Sequence, residues 1–299
     1  MSGFEVVVVG GTPGGLATAV AAARLGRRVA LVEYQAHLGG LSASGLGKSD
    51  IEHRGLIGGL FLEFVRRVRR HYLESDGPGS RNLELCRDGY YFEPSVAERV
   101  FDGMVAEQPG IEVFRAHELR SVTIEEGRAH EITVAERSTG RTRTLAGRVL
   151  VDATYEGDLY AMAGAPFRLG RESREEFGEP HAGEIYFDYE THEFLPGTTG
   201  RGDARLPAYT YRLCLTVDPA NSAMMDAPPP GYDRIRYRSY LDDLAAGRLG
   251  APRHAVEGWG YYPEHFDTLV RALSVTDLPN RKTDVNINPR PLAFPFAEE

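Results

Sequence analysis

The beginning of the chain places a glycine-rich turn between a strand and a helix of small residues. Residues 4–9 are almost wholly apolar and mostly valine, which is typical of a strand covered on both faces in a parallel sheet. Residues 14–25 are rich in alanine, and Gly26 stands where a left-handed helix cap is common. A second strand is predicted to begin at Arg27. The turn at the first junction reads Gly-Gly-Thr-Pro-Gly-Gly over residues 10–15, inside a predicted βαβ unit.

This turn has the spacing of a dinucleotide-binding fingerprint, with one exception. Gly10 and Gly15 stand where that fingerprint needs a tight turn and close packing of helix on strand. Thr12 replaces the glycine that lets the backbone approach a pyrophosphate, and we expect its hydroxyl to donate to phosphate instead. The anion is expected at the N–H groups that open the helix. The other turn residues predicted at the nucleotide are Gly11, Pro13 and Gly14.

A carboxylate follows at the end of the second strand. Glu33 is placed to accept hydrogen bonds from the hydroxyls of a ribose. Tyr34 and Gln35 supply no cation for a 2′-phosphate, so the sequence disfavours NADP. A second glycine-rich stretch comes next, at residues 38–45. An ordinary NAD-binding unit does not require this stretch, and its alternative interpretation is a flexible loop.

Composition and charge exclude several classes of protein. The chain has 34 Lys and Arg against 43 Asp and Glu, a net charge of −9 that disfavours nucleic acid and anionic membranes as partners. Its two cysteines, Cys86 and Cys214, cannot by themselves supply a disulfide framework or four cluster ligands. The uncharged stretch 6–23 is interrupted by glycines and a proline, which favours strand, turn and helix over a membrane span or a signal peptide. We predict a cytoplasmic protein that acts on a small-molecule substrate.

Shorter elements are predicted further along the chain. A helix over 94–108 is indicated by the capping pair Ser95 and Glu98 and by apolar residues on one face. Strands are predicted over 111–114, 121–125, 132–135 and 148–153. The last of these strands ends in small and acidic residues that lead into another helix.

Four stretches together resemble a known family. They read VVVVGGTPGG at 6–15, LVE at 31–33, LGGLSASG at 38–45 and VDATYEGDLYAMAGAPFRLGRES at 151–173. They are similar to the FAD-dependent oxidoreductases of the two-dinucleotide-binding-fold type, whose flavin part is related to that of the flavin-containing polypeptide of heterodisulfide reductase. The resemblance runs from Val6 to about Pro291 and implies FAD as the cofactor.

The resemblance also implies roles for individual residues. It places Gly10, Thr12 and Gly15 around the pyrophosphate and Glu33 at the adenosine ribose. The second glycine-rich stretch would lie along the pyrophosphate and the flavin, and the main chain of Leu119 would meet adenine. The further residues implied beside the nucleotide are Tyr34, Gly39, Gly40, Leu41, Ser42, Ala153, Thr154 and Asp158.

Two departures from the family bear on function. Iron–sulfur relatives carry cysteine clusters, which two distant cysteines cannot form. Relatives are also longer, and their last segments return to the nucleotide fold with a further strand and helix. Residues 281–299 contain three prolines and no strand–glycine–helix unit. We therefore expect a truncated member or a fragment, with FAD held on its adenine side.

The predicted fold class is α/β. A Rossmann-like FAD-binding domain, with a parallel sheet, helices and a β-meander, is expected over 1–164, with a loop insertion at about 45–93. An inserted α+β substrate or cap domain is expected over 165–280, and 281–299 would begin the return to the first domain. Apolar and polar residues alternate over 206–217, so one face of a strand there is expected in the core.

Candidate catalytic residues are few. Arg212 would orient an anionic or carbonyl substrate, although a solvated arginine is the commoner case. His53 is the acid–base candidate because an imidazole titrates near neutral pH, with a simple loop histidine as the alternative. In relatives the K-x-D-x-N stretch returns toward the active centre, which adds Asp284. The sequence has no metal-binding histidine spacing and no G-x-S-x-G nucleophile motif.

Three functions stay open on the sequence. The first is an FAD-dependent oxidoreductase that moves two electrons or a hydride between an organic substrate and flavin. The second is an FAD-binding fragment or electron-transfer subunit that a partner chain completes, and a homo-oligomer is also open. The third is an NAD-dependent dehydrogenase, which Glu33 allows and the second glycine-rich stretch disfavours.

Overall fold

The computed structural model describes residues 3–51, 53–188, 191–206, 211–245 and 273–287. These residues divide into two compact units. The first unit contains Met1–Pro166, Leu213–Val217 and Asp277–Asp284, and the second contains Phe167–Arg212, Asp218–Thr276 and Val285–Glu299. Most of the predicted return segment, residues 288–299, lies outside the described residues.

A six-stranded sheet forms the centre of the first unit. Its strands are β1 (Phe4–Val9), β2 (Val29–Val32), β3 (Ile111–Phe114), β4 (His117–Glu125), β5 (Arg128–Glu136) and β6 (Thr142–Asp152). Their spatial order is β3-β2-β1-β6-β5-β4. Strand β1 pairs in parallel with β2 and β6, and β2 pairs in parallel with β3. Strands β4, β5 and β6 form an antiparallel meander, so the predicted α/β fold class is confirmed.

The helices of the first unit correct one prediction. They are α1 (Pro13–Arg24), α2 (Gly59–Asp76), α3 (Arg81–Leu85), α4 (Pro94–Ala106) and α5 (Asp158–Met162). The segment at about 45–93, expected to be a loop insertion, therefore contains two helices. Helix α2 forms because its apolar residues fall on one side and can be buried together. This buried side consists of Phe64, Val65, Val68 and Tyr72.

Both faces of the parallel strands are covered. Val8 and Leu31 belong to an apolar core that they share with residues of α1, α2 and α4. On the opposite face, Val7 and Val9 pack in a second core with residues of the meander such as Ile132. Because alternate side chains of β1 enter different cores, the strand has no solvent face, which explains its run of valines.

A buried ion pair attaches the segment 277–284 to the helical layer. Glu93 is 5% exposed, and the Nζ atom of Lys282 lies 2.6 Å from its Oε1. The other carboxylate oxygen accepts hydrogen bonds from the Tyr72 hydroxyl at 3.2 Å and from the Asn280 amide at 2.6 Å. Burial raises the pKa of Tyr72, so the hydroxyl stays protonated as a donor.

The same segment belongs to a three-stranded sheet. Its strands are β9 (Leu213–Thr216), β10 (Leu273–Leu278) and β11 (Lys282–Ile287), in the order β10-β11-β9. In β9, Leu213 and Leu215 are 51% and 49% exposed, whereas Cys214 is partly buried against the core of the first unit. The buried face of the predicted strand is therefore the one that carries Cys214, opposite to its leucines.

The described part of the second unit consists of short elements. Its helices are α6 (Arg174–Phe177) and α7 (Arg238–Ala245), and β7 (Phe187–Asp188) pairs with β8 (Glu193–Phe194). Arg171 and Asp203 form an isolated backbone bridge and a side-chain ion pair. These contacts join the chain before α6 to the chain after β8.

The buried ion pair predicts a large effect on stability. Replacing Lys282 by Met leaves the Glu93 carboxylate buried without its cation, so we expect the free energy of unfolding to fall by about 3 kcal/mol. Urea unfolding followed by circular dichroism measures this change. Arg81→Met is the control, because its pair with Glu84 is 65% and 62% exposed and is worth about 1 kcal/mol or less. Equal losses in the two variants would contradict the assigned role of Lys282.

Candidate dinucleotide-binding site

The turn between β1 and α1 is packed against the end of β6. Gly10 has a φ of 105°, and a Cβ atom there would lie 2.5 Å from the carbonyl oxygen of Ala153. A Cβ atom on Gly15 would overlap the carbonyl oxygen of Gly10. Both positions therefore require glycine, and the reason is close contact between backbone segments. Gly14, in contrast, is exposed at the start of α1.

Thr12 caps the helix and joins two strand ends. Its hydroxyl donates to the carbonyl oxygen of Ala153 at 2.8 Å and accepts from the N–H of Gly15 at 3.3 Å. A hydroxyl has one hydrogen to donate, and this one is directed at the β6 end. The expected donation to phosphate is thus replaced by a cap that fixes the turn.

Glu33 is held by two backbone groups. It is 8% exposed, and its Oε2 and Oε1 accept from the N–H groups of Gly11 and Gln35, each at 2.6 Å. A carboxylate has about four acceptor positions, so capacity remains for the hydroxyls of a ribose. The predicted position of this residue beside the glycine turn is confirmed, and its bond to Gly11 is an addition that the sequence did not show.

The second glycine-rich stretch contacts both the first turn and the β6 loop. Gly39 has a φ of 109°, and its N–H donates to the carbonyl oxygen of Gly11 at 2.8 Å. A short 3-10 helix follows over Gly40–Ala43. The N–H of Leu41 donates to the hydroxyl of Tyr155 at 2.8 Å. Burial raises the pKa of this hydroxyl in Tyr155, although the residue as a whole is 62% exposed.

Asp152 organises the loop after β6, and it was not among the residues predicted from the sequence. Its Oδ1 accepts from the N–H and from the hydroxyl of Thr154, at 3.0 and 2.7 Å. The Thr154 hydroxyl accepts in turn from the N–H groups of Gly157 and Asp158, both at 2.9 Å. The acidic residue at a strand end followed by Ala-Thr was visible in the sequence, but its hydrogen-bond partners were not.

These loops surround a cleft of about 600 Å³, within the usual range of small-molecule sites. The predicted nucleotide residues that line it are Gly10, Thr12, Glu33, Tyr34, Gly40, Leu41, Leu119, Thr154 and Asp158. Its lining residues include acidic side chains and no Lys or Arg, so the cleft suits hydroxyls better than a 2′-phosphate. The remaining predicted residues, Gly11, Pro13, Gly14, Gly15, Gly39, Ser42 and Ala153, lie in the same loops.

A second cavity, of about 250 Å³, lies among α1, α2 and α4. Pro13 and Ser42 line it, so it borders the two glycine-rich stretches on the side of the helices. The rest of the lining is mainly apolar, with Phe64 and Phe101 stacked at 4.5 Å. Such an apolar space is suited to a hydrocarbon or ring group and stays free of water.

The three candidate catalytic residues lie in different settings. His53 is exposed at the start of a short 3-10 helix in the first unit, and Arg212 is partly buried in the second unit. Asp284 is 2% exposed and accepts from the N–H of Gly47 at 3.0 Å. None of the three is among the residues that line either cavity described above.

Comparison with known proteins decides the family. The family described as FAD dependent oxidoreductase matches residues 5–298 of the sequence. The chain belongs to this family. FAD is therefore its cofactor, and the cleft at the ends of β1, β2 and β6 is the candidate FAD site.

Solved structures with similarity to the chain include three of low identity. AlpK is 17% identical over 95% of this chain and 43% of its own, with a TM-score of 0.45. THI4 from Thermovibrio ammonificans is 18% identical over 61% of this chain and 64% of its own, with a TM-score of 0.36. A glycerol-3-phosphate dehydrogenase from Bacillus halodurans, solved with FAD, is 17% identical over 51% and 34%, with a TM-score of 0.35. The chain thus spans less than two thirds of each of these proteins.

Two further kinds of site were searched for in the described residues. No helix there is long and apolar enough to cross a membrane. No group of three or more His, Cys, Asp and Glu side chains in the same residues is arranged to hold a metal ion.

The contact between Leu41 and Tyr155 predicts a change in cofactor affinity. Tyr155→Phe removes the acceptor that joins the second glycine-rich stretch to the β6 loop, a loss of about 1 kcal/mol that raises the Kd for FAD about fivefold. Titration of FAD fluorescence measures the Kd. Tyr211→Phe makes the same chemical change at a residue that is 85% exposed, and it should leave the Kd unaltered. An unaltered Kd in the Tyr155 variant would refute the role of this contact.

Proposed function

We propose that the chain binds FAD along the cleft and transfers two electrons, as a hydride or its equivalent, between an organic substrate and the flavin. The observation that carries the proposal is the joining of three cofactor segments by direct hydrogen bonds. Gly39 is bonded to Gly11, Gly11 to Glu33, and Thr12 to the carbonyl oxygen of Ala153. One extended ligand would touch all three segments.

The residues of the cleft fit the parts of FAD. The spare acceptor positions of Glu33 would bind the ribose hydroxyls, and the main chain of Leu119 would face adenine. The N–H groups at the start of α1, near the exposed Gly14, would bind the diphosphate, since the first turn of a helix has N–H groups without helical partners. Gly39, Gly40 and Ser42 would follow the chain toward the flavin. FAD supplies the ring that accepts and returns the electron pair.

We assign substrate binding to the second unit, which was predicted as the substrate or cap domain over 165–280. His53, Arg212 and Asp284 stay candidates for contacts with substrate or flavin. The geometry makes Asp284 the best supported of these as a positioning residue, because it holds the N–H of Gly47, two residues after the second glycine-rich stretch.

Purified protein is expected to be yellow, or to become yellow with added FAD, and the colour should bleach with a reductant. Tight binding of NADH with no binding of FAD would contradict the proposal and would favour the NAD-dependent alternative. Absorbance spectra and parallel titrations with the two nucleotides distinguish these outcomes.

The role of Glu33 predicts a specific loss of affinity. Glu33→Gln keeps the shape of the side chain but removes an acceptor and sets an amide against a backbone N–H, so we expect the Kd for FAD to rise about tenfold or more. Isothermal titration calorimetry measures the Kd, with circular dichroism as the check on folding. Glu118→Gln is the matched control, because it removes an equal charge from the lining of the same cleft. If both variants lose affinity equally, the effect belongs to net charge and not to the ribose contact.

A further inference from the structure

An arginine in the second unit has a buried edge with no hydrogen-bond acceptor. Arg174 is the first residue of α6, and its Nε and Nη2 atoms are both buried. Neither atom has a hydrogen-bond partner in the part of the chain that the structure describes. Burial of an unpaired guanidinium N–H is costly, so native proteins nearly always give such groups an acceptor.

The guanidinium of Arg174 is fixed in position by its neighbours. Its Cζ atom lies 4.8 Å from the centre of the Phe194 ring, a cation–π contact. Gly200 lies close to the same side chain, since a Cβ atom there would come within 3.2 Å of Nε and 3.3 Å of Cζ. The backbone N–H of Arg174 also donates to the carbonyl oxygen of Gly200 at 2.9 Å. The unpaired edge therefore has a defined direction.

A neighbouring arginine shows what this edge binds. In Arg171, three residues earlier, the Nε atom donates to Oδ1 of Asp203 at 2.9 Å and Nη2 donates to Oδ2. Nε and Nη2 form one edge of the planar guanidinium, and two parallel hydrogen bonds from that edge match the two oxygens of a carboxylate. Arg174 presents the same edge in the same unit without a carboxylate from the described chain.

We propose that Arg174 binds the carboxylate of a small-molecule ligand through this edge. The ligand would have a flat apolar body, because aromatic rings surround the arginine. Phe187 and Phe194 lie 5.1 Å apart, and the ring of His181 lies 4.6 Å from Phe187. An aromatic or unsaturated carboxylic acid has both features. This site is separate from the FAD residues, and only its identification as the substrate site of the flavin reaction rests on the proposed function.

Benzoate is the probe, and calorimetric titration of the full chain without added FAD measures its binding. We expect benzoate to bind, and benzamide and inorganic phosphate to bind at least about tenfold more weakly, since they lack the charge or the planar pair of oxygens. Benzamide binding as tightly as benzoate would overturn the proposal, as would tighter binding of phosphate. Because FAD is absent, this result does not depend on whether the flavin assignment holds.

Two variants isolate the arginine. Arg174→Gln should weaken benzoate binding about tenfold or more, the factor expected for the loss of a charge-assisted pair. Arg168→Gln is the matched control, because Arg168 also lies over a phenylalanine, Phe177, but is paired with Glu176 at 2.6 Å. Benzoate binding should be unchanged in that variant. Equal binding by wild type and the Arg174 variant would refute the site.

Stability provides an independent readout. If the buried edge awaits a ligand, Arg174→Met removes an unpaired buried charge, and the Tm without ligand should rise. Benzoate should raise the Tm of the wild type and leave that of the Met variant unchanged. A variant that fails to fold, or that has a lowered Tm, would show that Arg174 has a structural partner such as a bound water, and would overturn the proposal.

Discussion

The close approach of the β1 turn to the end of β6 is the constraint on which the site depends. Gly10 and Gly15 leave no room for a side chain, and the Thr12 hydroxyl bonds directly to the β6 end. This approach brings the carboxyl ends of β1, β2 and β6 to one edge of the sheet, where parallel α/β folds form their ligand clefts. Glu33 and the second glycine-rich stretch are then bonded to the same turn, so the cleft is assembled around a single backbone contact.

A second set of contacts holds the chain that follows the second glycine-rich stretch. The pair of Glu93 and Lys282 fixes the segment 277–284 to the helices, and Asp284 from that segment bonds to Gly47. A Cβ atom at Gly47 would lie 3.0 Å from the carbonyl oxygen of Phe92 and would overlap Leu278, so the loop is enclosed between the helices and the segment. The charge pair thus positions a loop that it does not touch.

The parts of the fold with a local signal were predictable from the sequence. The strand, turn, helix and acidic strand end at residues 4–33 each have their own signature, and all of them are present in the structure. The proton of Thr12, the acceptor role of Tyr155 and the cation of Glu93 were not predictable, because each depends on a partner far away in the sequence. The buried side of β9 was also missed, since an adjacent core, and not the hydrophobicity of its own residues, selects the side that is covered.

The distance in sequence between Glu93 and Lys282 has a consequence for synthesis of the chain. The two residues are 189 positions apart, so at typical translation rates Lys282 is made roughly 10–40 s after Glu93. During that interval the nascent helical layer has an acidic group at the place where its core will close, and burial of that group without a cation is unfavourable. The helices around Tyr72 can complete their packing only when the late segment emerges from the ribosome. Chaperone dependence of this chain would therefore be concentrated in the last stage of its translation.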